Sequence, residues 1–519
     1  MAKFDVAVVG GGHNGLVTAG YLAKAGAKVI VLERRPIVGG ACVTEEPWPG
    51  FRINTFSYVA GLLRPPIVEE LELAKFGYEP ILYDPQGFYP HPDGRLLTQW
   101  NDTDRTVKEI AKFSTKDARA YPKYEEFWDG VLDLVEPMLL SPPVPLVDLV
   151  GQFPGTEAEE LVRSLFLLSA QDFLDEWFES DEVKIAQATN AVIGEMVGPR
   201  TPGTAYVLAH HNIGVLNGSR KVWGFSKGGM GQITQALARS AQHHGATIRT
   251  GAAVKEVVVD HGRATGVRLE GGEVIEARAV ASNLDAQHTY LKLLPRDAVP
   301  PEVVREVGRI RSRGAALKFN AALDGLPKFT AVPGGRLTEY LCGSNQIAPS
   351  MEYLEKAYDQ GKYGHFSERP YIDFYFQSIL DPQMAPAGKH VMTCFVQYAP
   401  YELKEGSWEE FKPTAAERIL DTMEEYAPNI RKVVKHWQIV SPYDIEKTLG
   451  MTGGNIFQGN ITPDQIFSFR PILGWANYRT PVKGVYLCGS AAHPGGGVTG
   501  APGHNAAQAI LEDLPKIPK

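Results

Sequence analysis

The chain has 519 residues, 44% of them hydrophobic, and its 52 basic and 60 acidic residues give a net charge of −8. This length favours two to four domains with a large core. The sequence has no run of five or more like charges, which argues against a nucleic-acid-binding protein. The four cysteines form neither a C-x-x-C pair nor a zinc-ligand spacing, so we expect neither disulfide-reductase chemistry nor a metal site.

An apolar strand begins at Phe4, which leaves no room for a signal or transit peptide, and we expect a cytoplasmic protein. No uncharged apolar run approaches the ~20 residues that span a bilayer. Residues 135–153 are the most apolar stretch, but they contain four prolines. We interpret them as a surface loop with a short helix, and the alternative is an element that contacts a membrane peripherally.

The first motif is G-x-G-x-x-G at Gly10, Gly12 and Gly15, between the strand FDVAVVG and the helix GLVTAGYLAKAG. A second strand, KVIVLE, ends at Glu33, eighteen residues after Gly15. This order predicts a βαβ dinucleotide-binding unit whose helix N-terminus holds the phosphates. The acid at Glu33 would bind a ribose, which favours FAD or NAD over NADP.

Further cofactor contacts are predicted around this motif. His13 and Asn14 lie in the glycine loop, although a histidine there is more often a packing residue. Arg34 and Arg35 either reach the pyrophosphate or remain solvated. Gly39 and Gly40 follow them, and we expect this glycine pair to bring backbone amides to the phosphates.

Two later glycine clusters are not further nucleotide motifs. Gly228, Gly229 and Gly231 precede a helix and a β-meander, but no acid ends a second strand at the required distance. The G-x-G-x-x-G from residue 495 to 500 leaves only nineteen residues after Gly500, too few for another βαβ unit. A strand, a glycine turn and a helix start can instead serve the flavin end of a single extended FAD.

With these motifs the chain resembles the phytoene desaturase type of FAD-dependent amine-oxidase-like flavoproteins. The segment LCGSAAHPGGGVTGAPGHNAA is similar to that family's C-terminal flavin motif. Residues 175–186, 380–390 and 453–471 resemble a subgroup that includes the pyridine nucleotide-disulphide oxidoreductase domain-containing protein 2 group and the FAD-type carotenoid ketolases.

The resemblance implies an α/β fold (α+β overall). A Rossmann-like FAD domain (residues 1–75, 221–290 and 441–519) would be interleaved with a sheet-plus-helical-cap substrate domain (76–220 and 291–440). It implies FAD contacts at Gly10, Gly12, His13, Asn14, Gly15, Glu33, Arg34, Arg35, Gly39, Gly40, Ala41, Val254, Gly489, Ser490, Gly497, Val498, Pro502 and Gly503. Many relatives have arginine where this chain has Ala41, so a pyrophosphate-binding arginine must be Arg34 or Arg35 or be absent.

The substrate region is predicted to be helical over residues 75–220 and to contain strands such as AALKFNAAL, YIDFYFQSIL and VMTCFVQYA. In YIDFYFQ, Ile372, Phe374 and Phe376 alternate with Tyr371, Asp373 and Tyr375, which predicts a half-buried strand. Thr414 and Glu417 are spaced as the capping box of a following helix. We expect an apolar pocket between the helical cap and the flavin, suited to a long hydrophobic substrate.

His493 is the candidate proton-handling catalytic residue, because the C-terminal motif brings it near the flavin; holding the local backbone is the alternative. Arg470 and Asp464 could shape the cavity or pair structurally. The pairs His210–His211 and His243–His244 are interpreted as surface residues.

The predicted function is dehydrogenation or oxygenation of an apolar isoprenoid or lipid-like small molecule, with hydride transfer to flavin N5 and reoxidation by a quinone or O2. The absence of a second nucleotide fold argues against stably bound NAD(P)H. Two alternatives stay open: a flavoprotein with a binding or scaffolding role and little turnover, and an amine oxidase.

Overall fold

The computed structural model describes residues 3–151 and 155–518. Its strands are β1 (Phe4–Val9), β2 (Val29–Leu32), β3 (Thr44–Trp48), β4 (Phe51–Asn54), β5 (Pro80–Leu82), β6 (Gly87–Pro90), β7 (Leu96–Gln99), β8 (Val215–Leu216), β9 (Ser219–Arg220), β10 (Gly224–Ser226), β11 (Thr247–Arg249), β12 (Val254–Asp260), β13 (Arg263–Leu269), β14 (Val274–Ser282), β15 (Ala316–Leu323), β16 (Asn345–Ile347), β17 (Tyr371–Tyr375), β18 (His390–Gln397), β19 (Val434–Val440) and β20 (Val485–Leu487).

The helices are α1 (His13–Lys24), α2 (Pro65–Glu70), α3 (Thr103–Ile110), α4 (Thr115–Leu139), α5 (Leu146–Val150), α6 (Gly155–Val162), α7 (Ala170–Trp177), α8 (Asp181–Ala188), α9 (Thr204–Asn212), α10 (Gly231–His243), α11 (Ala286–His288), α12 (Pro301–Gly308), α13 (Leu337–Tyr340), α14 (Met351–Lys362), α15 (Trp408–Glu424), α16 (Ile430–Val433), α17 (Pro442–Leu449) and α18 (Ala501–Asp513). None of these helices combines the length and apolar character needed to cross a bilayer.

One sheet has the strand order β11-β2-β1-β14-β13-β12, and β20 also pairs with β14. The strands β11, β2, β1, β14 and β20 run parallel, whereas β12, β13 and β14 pair antiparallel. Because β2 and the last four residues of β1 are buried and α1 packs on both strands, this is the predicted Rossmann-like unit. The α/β class is therefore confirmed.

A second sheet has the strand order β19-β15-β18-β17-β16-β6-β7. Ile372 and Phe374 of β17 pack in a hydrophobic core on one face of this sheet. The helices α4, α7, α8 and α9 contribute to another hydrophobic cluster, which also contains Tyr371, Tyr375 and Phe395 from the sheet. The expectation of a half-buried β17 is wrong, because all five of its residues are buried.

One expected helix start differs from the structure. The helix predicted at Thr414 begins at Trp408, and its capping box is formed by Ser407 and Glu410. Pro413 lies inside that helix, so the proline does not mark its start. In residues 135–153, α4 ends at Leu139 and the short helix α5 follows, while residues 152 and 153 lie outside the described part of the chain.

Candidate active site

Four strand ends meet at the carboxyl edge of the first sheet. Val9 at the end of β1 is in register with Leu32 of β2 and with Ser282 of β14, and Ser282 is in register with Leu487 of β20. The residues that follow these strands, Gly10, Glu33, Asn283 and Cys488, therefore lie side by side. This edge is where open α/β sheets bind their ligands.

Glu33 is buried at this edge, with 6% of its surface exposed. Its Oε2 accepts a hydrogen bond from the Gly11 amide at 2.8 Å, and its Oε1 accepts one from the Arg35 amide at 2.8 Å. Each carboxylate oxygen has a second lone pair, so Glu33 retains acceptor capacity for a ligand hydroxyl.

The two N-terminal glycine runs are packed together. The Gly39 amide donates to the Gly11 carbonyl at 2.8 Å, and Gly12 and Gly39 form a β-bridge. A β-carbon on Gly40 would lie 3.3 Å from the Gly12 Cα. A side chain larger than hydrogen at these glycines would therefore crowd the turn from which α1 starts.

One large cavity adjoins this edge, with a volume of about 270 Å³. Many of the predicted cofactor residues line it: Gly10, Gly12, His13, Asn14, Glu33, Arg34, Arg35, Gly39, Gly40, Ala41, Ser490, Gly497 and Val498. Gly15, Val254, Gly489, Pro502, Gly503 and His493 are not among the residues that line it.

Several cavity-lining side chains carry buried polar atoms that have no hydrogen-bond partner within the described residues: His13 Nε2, Asn14 Oδ1, Arg35 Nη1 and Ser57 Oγ. Burial lowers the pKa of His13 to about 4, so its ring is neutral at neutral pH. Unpaired buried polar atoms around a glycine-rich helix start suit a polar, phosphorylated ligand such as a dinucleotide.

The two arginines are held differently. The Arg34 guanidinium donates to the carbonyls of Lys447 and Thr448 at the end of α17. Arg35 pairs through Nη2 with Glu45 at 2.7 Å, and its Nη1 is one of the unpaired atoms. Of the two, Arg35 has the free donor for a pyrophosphate.

The predicted cofactor residues that do not line the cavity pack against the backbone that surrounds it. A β-carbon on Gly15 would lie 2.3 Å from the Gly10 carbonyl oxygen, and one on Gly503 would lie 2.3 Å from the Asn14 carbonyl oxygen. Gly489 packs against the Asn283 carbonyl in the same way, at 2.6 Å. Pro502 is buried in the first turn of α18, and Val254 packs against the core at the start of β12.

The C-terminal turn contributes Gly497 and Val498 to the cavity. Val498 has φ +62°, a conformation that β-branched residues rarely adopt. Such backbone strain often marks ligand-binding turns. Gly500 with φ +73° then precedes α18, which starts at Ala501.

His493 faces away from the large cavity. It lines a separate space of about 30 Å³ with His210, Met138 and Tyr206, and its Nε2 lies 3.3 Å from the Met138 carbonyl oxygen. Burial lowers its pKa to about 4. This position gives no support to the predicted proton-handling role, because the side chain does not reach the ligand space.

The other sequence candidates have structural partners. The buried Arg470 donates to carbonyls of Phe457, Gly459, Asn460, Gln465 and Ser490. Asp464 forms an exposed ion pair with Arg311 at 2.6 Å. The surface interpretation of His210–His211 is wrong, because both are buried in α9 and His211 lines the large cavity.

The second sheet supplies charged residues that sequence analysis did not select. Lys318 of β15 and Asp373 of β17 are both in register with Phe395 of the intervening β18. Lys318, Phe395 and Asp373 all line the large cavity, and both charged residues are 3% exposed. A lysine in AALKFNAAL and an aspartate in YIDFYF, each inside an otherwise apolar strand, are the signals that could have identified them.

Burial shifts the pKa of both groups towards neutrality. It lowers the pKa of Lys318 to about 7 and raises that of Asp373 to about 7. Hydrogen bonds from Tyr375, Tyr58 and Ser344 act in the opposite direction on Asp373. The Lys318 ammonium donates to Thr393 Oγ1 at 2.7 Å and lies 4.1 Å from the centre of the Tyr58 ring.

The walls around this pair are more polar than the predicted apolar pocket. Aromatic and aliphatic side chains such as Phe395, Ile193 and Leu62 alternate with polar ones. The polar residues on the wall include Tyr58, Tyr83, Tyr89, Tyr375, Gln86, Gln99, Gln187, Ser344, Gln346, Lys318 and Asp373.

Comparison with known proteins gives two family matches. Residues 8–69 match the NAD(P)-binding Rossmann-like domain, and residues 203–511 match the flavin containing amine oxidoreductase family. A rat (Rattus norvegicus) protein, pyridine nucleotide-disulfide oxidoreductase domain-containing protein 2, is 39% identical over 99% of this chain and 94% of its own length. The lycopene-forming phytoene desaturase of Pseudescherichia vulneris is 26% identical over 98% of this chain and 99% of its own.

Among solved structures, wild-type putrescine oxidase bound to putrescine superimposes with a TM-score of 0.60. It is 17% identical, and the match covers 99% of both chains. At this identity the likeness shows the fold alone.

Proposed function

Because the chain belongs to the flavin-containing amine oxidoreductase family, we propose that it dehydrogenates a small organic molecule bound in the cavity between its two sheets. Its cofactor is FAD, and the residues at the carboxyl edge of the first sheet fit that group. Gly10, Gly12, Glu33 and Arg35 would hold the adenosine and pyrophosphate, and the turn at Gly497 and Val498 would face the flavin.

The observation that carries this proposal is the continuity of the cavity. The same space is lined by Glu33 at the nucleotide edge and by Lys318 and Asp373 on the second sheet. A long dinucleotide that starts at Glu33 would therefore extend towards the wall on which the two charged residues lie, and a substrate could bind there beside the flavin.

Bound FAD supplies a two-electron acceptor for a hydride. The dehydrogenated carbon skeleton must also release one proton, and Lys318 is the group on the cavity wall best suited to accept it. At neutral pH a substantial fraction of its amine is uncharged, since burial lowers its pKa to about 7. Tyr58 and Phe395, whose ring centres lie 5.3 Å apart, form an aromatic part of the cavity wall beside Lys318.

The electron acceptor is proposed to be a quinone or O2. Support for this comes from the glycine clusters at Gly228 and Gly495, neither of which forms part of a second nucleotide-binding unit. A second nucleotide site would be the expected route for electrons from NAD(P)H.

An apolar isoprenoid substrate is the second candidate. It is favoured by the similarity to a phytoene desaturase over nearly the whole chain. The aliphatic residues Leu62, Val59 and Ile193 on the cavity wall are compatible with it.

Anaerobic reduction of the purified FAD-loaded protein tests the proposal. Primary alcohols, primary amines and isoprenoid hydrocarbons are mixed with it separately, and flavin bleaching is followed by stopped-flow absorption. Rapid bleaching by one class identifies the substrate class. A flavin that photoreduction bleaches but that no compound reduces would favour a binding role with little turnover.

A further inference from the structure

Asp373 is bonded differently from the other buried carboxylates. Within the described residues, these others accept hydrogen bonds from backbone amides and so stabilise local structure: Glu33, Asp117, Glu195, Asp285 and Asp381. Asp373 has only side-chain hydroxyls as partners. Its Oδ2 accepts from Tyr375 at 3.1 Å and from Tyr58 at 3.2 Å, and its Oδ1 accepts from Ser344 at 3.2 Å.

No lysine or arginine of the described residues forms a direct ion pair with Asp373; Lys318, which lines the same cavity, acts on it only at longer range, where its charge lowers the Asp373 pKa. A buried carboxylate without a directly paired cation is costly, and an apolar residue at this position would stabilise the sheet more. The cost therefore points to a role in binding. Position supports this role, because Asp373, Tyr58, Tyr375 and Ser344 all line the large cavity.

The four residues leave room for one more hydrogen bond. A carboxylate has about four acceptor directions, and three are used by the hydroxyls of the site. The neighbouring surface is aromatic: Tyr58 packs on Phe395 with ring centres 5.3 Å apart, and on the tilted ring of Tyr375 at the same distance. A ligand could thus place an apolar body against the rings and a donating group on the carboxylate.

We propose that Asp373, with Tyr58, Tyr375 and Ser344, binds a hydrogen-bond-donating head group of the substrate, a hydroxyl or an amine. This inference rests on the proposed function, because it places the substrate in the same cavity. It makes Asp373 a specificity-determining residue and disfavours a plain hydrocarbon as the substrate.

The test compares three probes that share one skeleton: benzyl alcohol, benzylamine and toluene. Binding to the FAD-loaded protein is measured anaerobically by the change in flavin absorption, and separately by the shift in Tm, which does not depend on flavin chemistry. Measured well above pH 7, where the Asp373 carboxyl is ionised, the wild-type protein should bind the alcohol or the amine about tenfold more tightly than toluene, as expected for one hydrogen bond to a charged group. The alcohol and amine arms show which donor the site prefers.

Asp373→Asn should remove the preference while leaving toluene binding unchanged. Tyr58→Phe deletes one of the hydroxyls bonded to the carboxylate and is the second test variant if Asp373→Asn does not fold. It should reduce the preference for the polar probes over toluene about threefold or more. Tyr371→Phe is the matched control: Tyr371 lies on the same strand, and its hydroxyl bonds to Gln346 and not to Asp373. The control should keep the wild-type preference.

The inference is overturned if toluene binds as tightly as the polar probes, if no polar probe binds, or if Asp373→Asn and Tyr58→Phe both retain the preference. Failure of the proposed function gives a different pattern. In that case the polar probes still raise the Tm through Asp373, but no compound reduces the flavin.

Discussion

Glu33 already holds the Gly11 and Arg35 amides, and a bound ribose would use its remaining lone pairs. Glu33→Gln keeps the shape of the side chain but loses its charge and half of its acceptors. We expect FAD affinity to fall about tenfold or more, since a hydrogen bond to a charged group contributes ~1.5–3 kcal/mol. Titration of apoprotein with FAD, followed by flavin fluorescence, measures this. Glu270→Gln, at an exposed position in the turn after β13, should bind FAD normally; equal affinities in both variants would contradict the assignment.

Lys318 predicts the pH dependence of flavin reduction. In the proposed reaction its neutral amine accepts the proton, so the rate constant should rise with pH through about 7, the pKa to which burial lowers it. The carboxylate of Asp373, which lines the same cavity, acts in the opposite direction and raises this pKa. Lys318→Met should slow reduction by about 10² or more and flatten the profile. Stopped-flow rates across the pH range test this, and an unchanged profile in Lys318→Met would exclude the role.

Most of the predicted cofactor residues that line the cavity lie near one another in the N-terminal sequence, such as Gly10, Glu33 and Gly39, and their role in binding stays a prediction. Their spacing is dictated by the local geometry of one βαβ unit. Lys318 and Asp373 were missed as site residues because their proximity depends on the strand order of the second sheet. His493 was placed by motif alone, and the direction of its side chain depends on how the turn at Pro494 packs against α4.

At the scale of elements, α1 and α18 meet through small residues. The Thr18 hydroxyl donates to the Gly503 carbonyl at 2.9 Å, and Gly503 packs on the Asn14 backbone. Gly503→Ala should destabilise the fold by about 1–3 kcal/mol and weaken FAD retention, because the added methyl forces the helices apart. Urea unfolding measures it. Gly130→Ala, in open space within α4, should be neutral or slightly stabilising; equal losses in both would contradict this packing account.

Arg470 joins two loops that border the cavity. Its guanidinium bonds to the Phe457 carbonyl at 2.6 Å and to the Ser490 carbonyl at 2.7 Å. Arg470→Met should leave several buried carbonyls unpaired, lower the free energy of unfolding by about 3 kcal/mol or more, and loosen the turn at Ser490. Asp464→Asn breaks only an exposed pair and should cost less than about 1 kcal/mol. Comparable unfolding free energies for the two would argue against the assignment.

Element types were more predictable than element ends. The βαβ unit and the strand at β17 follow from hydrophobic periodicity, whereas α15 starts about two turns earlier than expected because Pro413 is tolerated inside it. The alternating sequence of β17 suggests a polar face that is exposed to solvent. Alternation shows that a strand has two different faces, but it does not show whether the polar face meets solvent or an internal cavity. Only the tertiary arrangement resolves that difference.

For the whole molecule, the first sheet provides the nucleotide edge and the second sheet provides the wall with Lys318 and Asp373. The domain boundaries at residues 75, 220, 290 and 440, and the peripheral membrane contact, stay predictions. The side chain of Val147 in α5 has a relative exposure of 75% and is the natural position for a vesicle-binding test with a Val147→Asp variant.

The most direct test of the central claim is the FAD content of the purified protein, measured by absorption before and after heat release. The account predicts one FAD per chain, because the second glycine cluster serves the same cofactor as the first. Ser490→Arg, which places a large side chain on the cavity wall, should lower this ratio. Two dinucleotides per chain, or none even after incubation with FAD, would contradict the account.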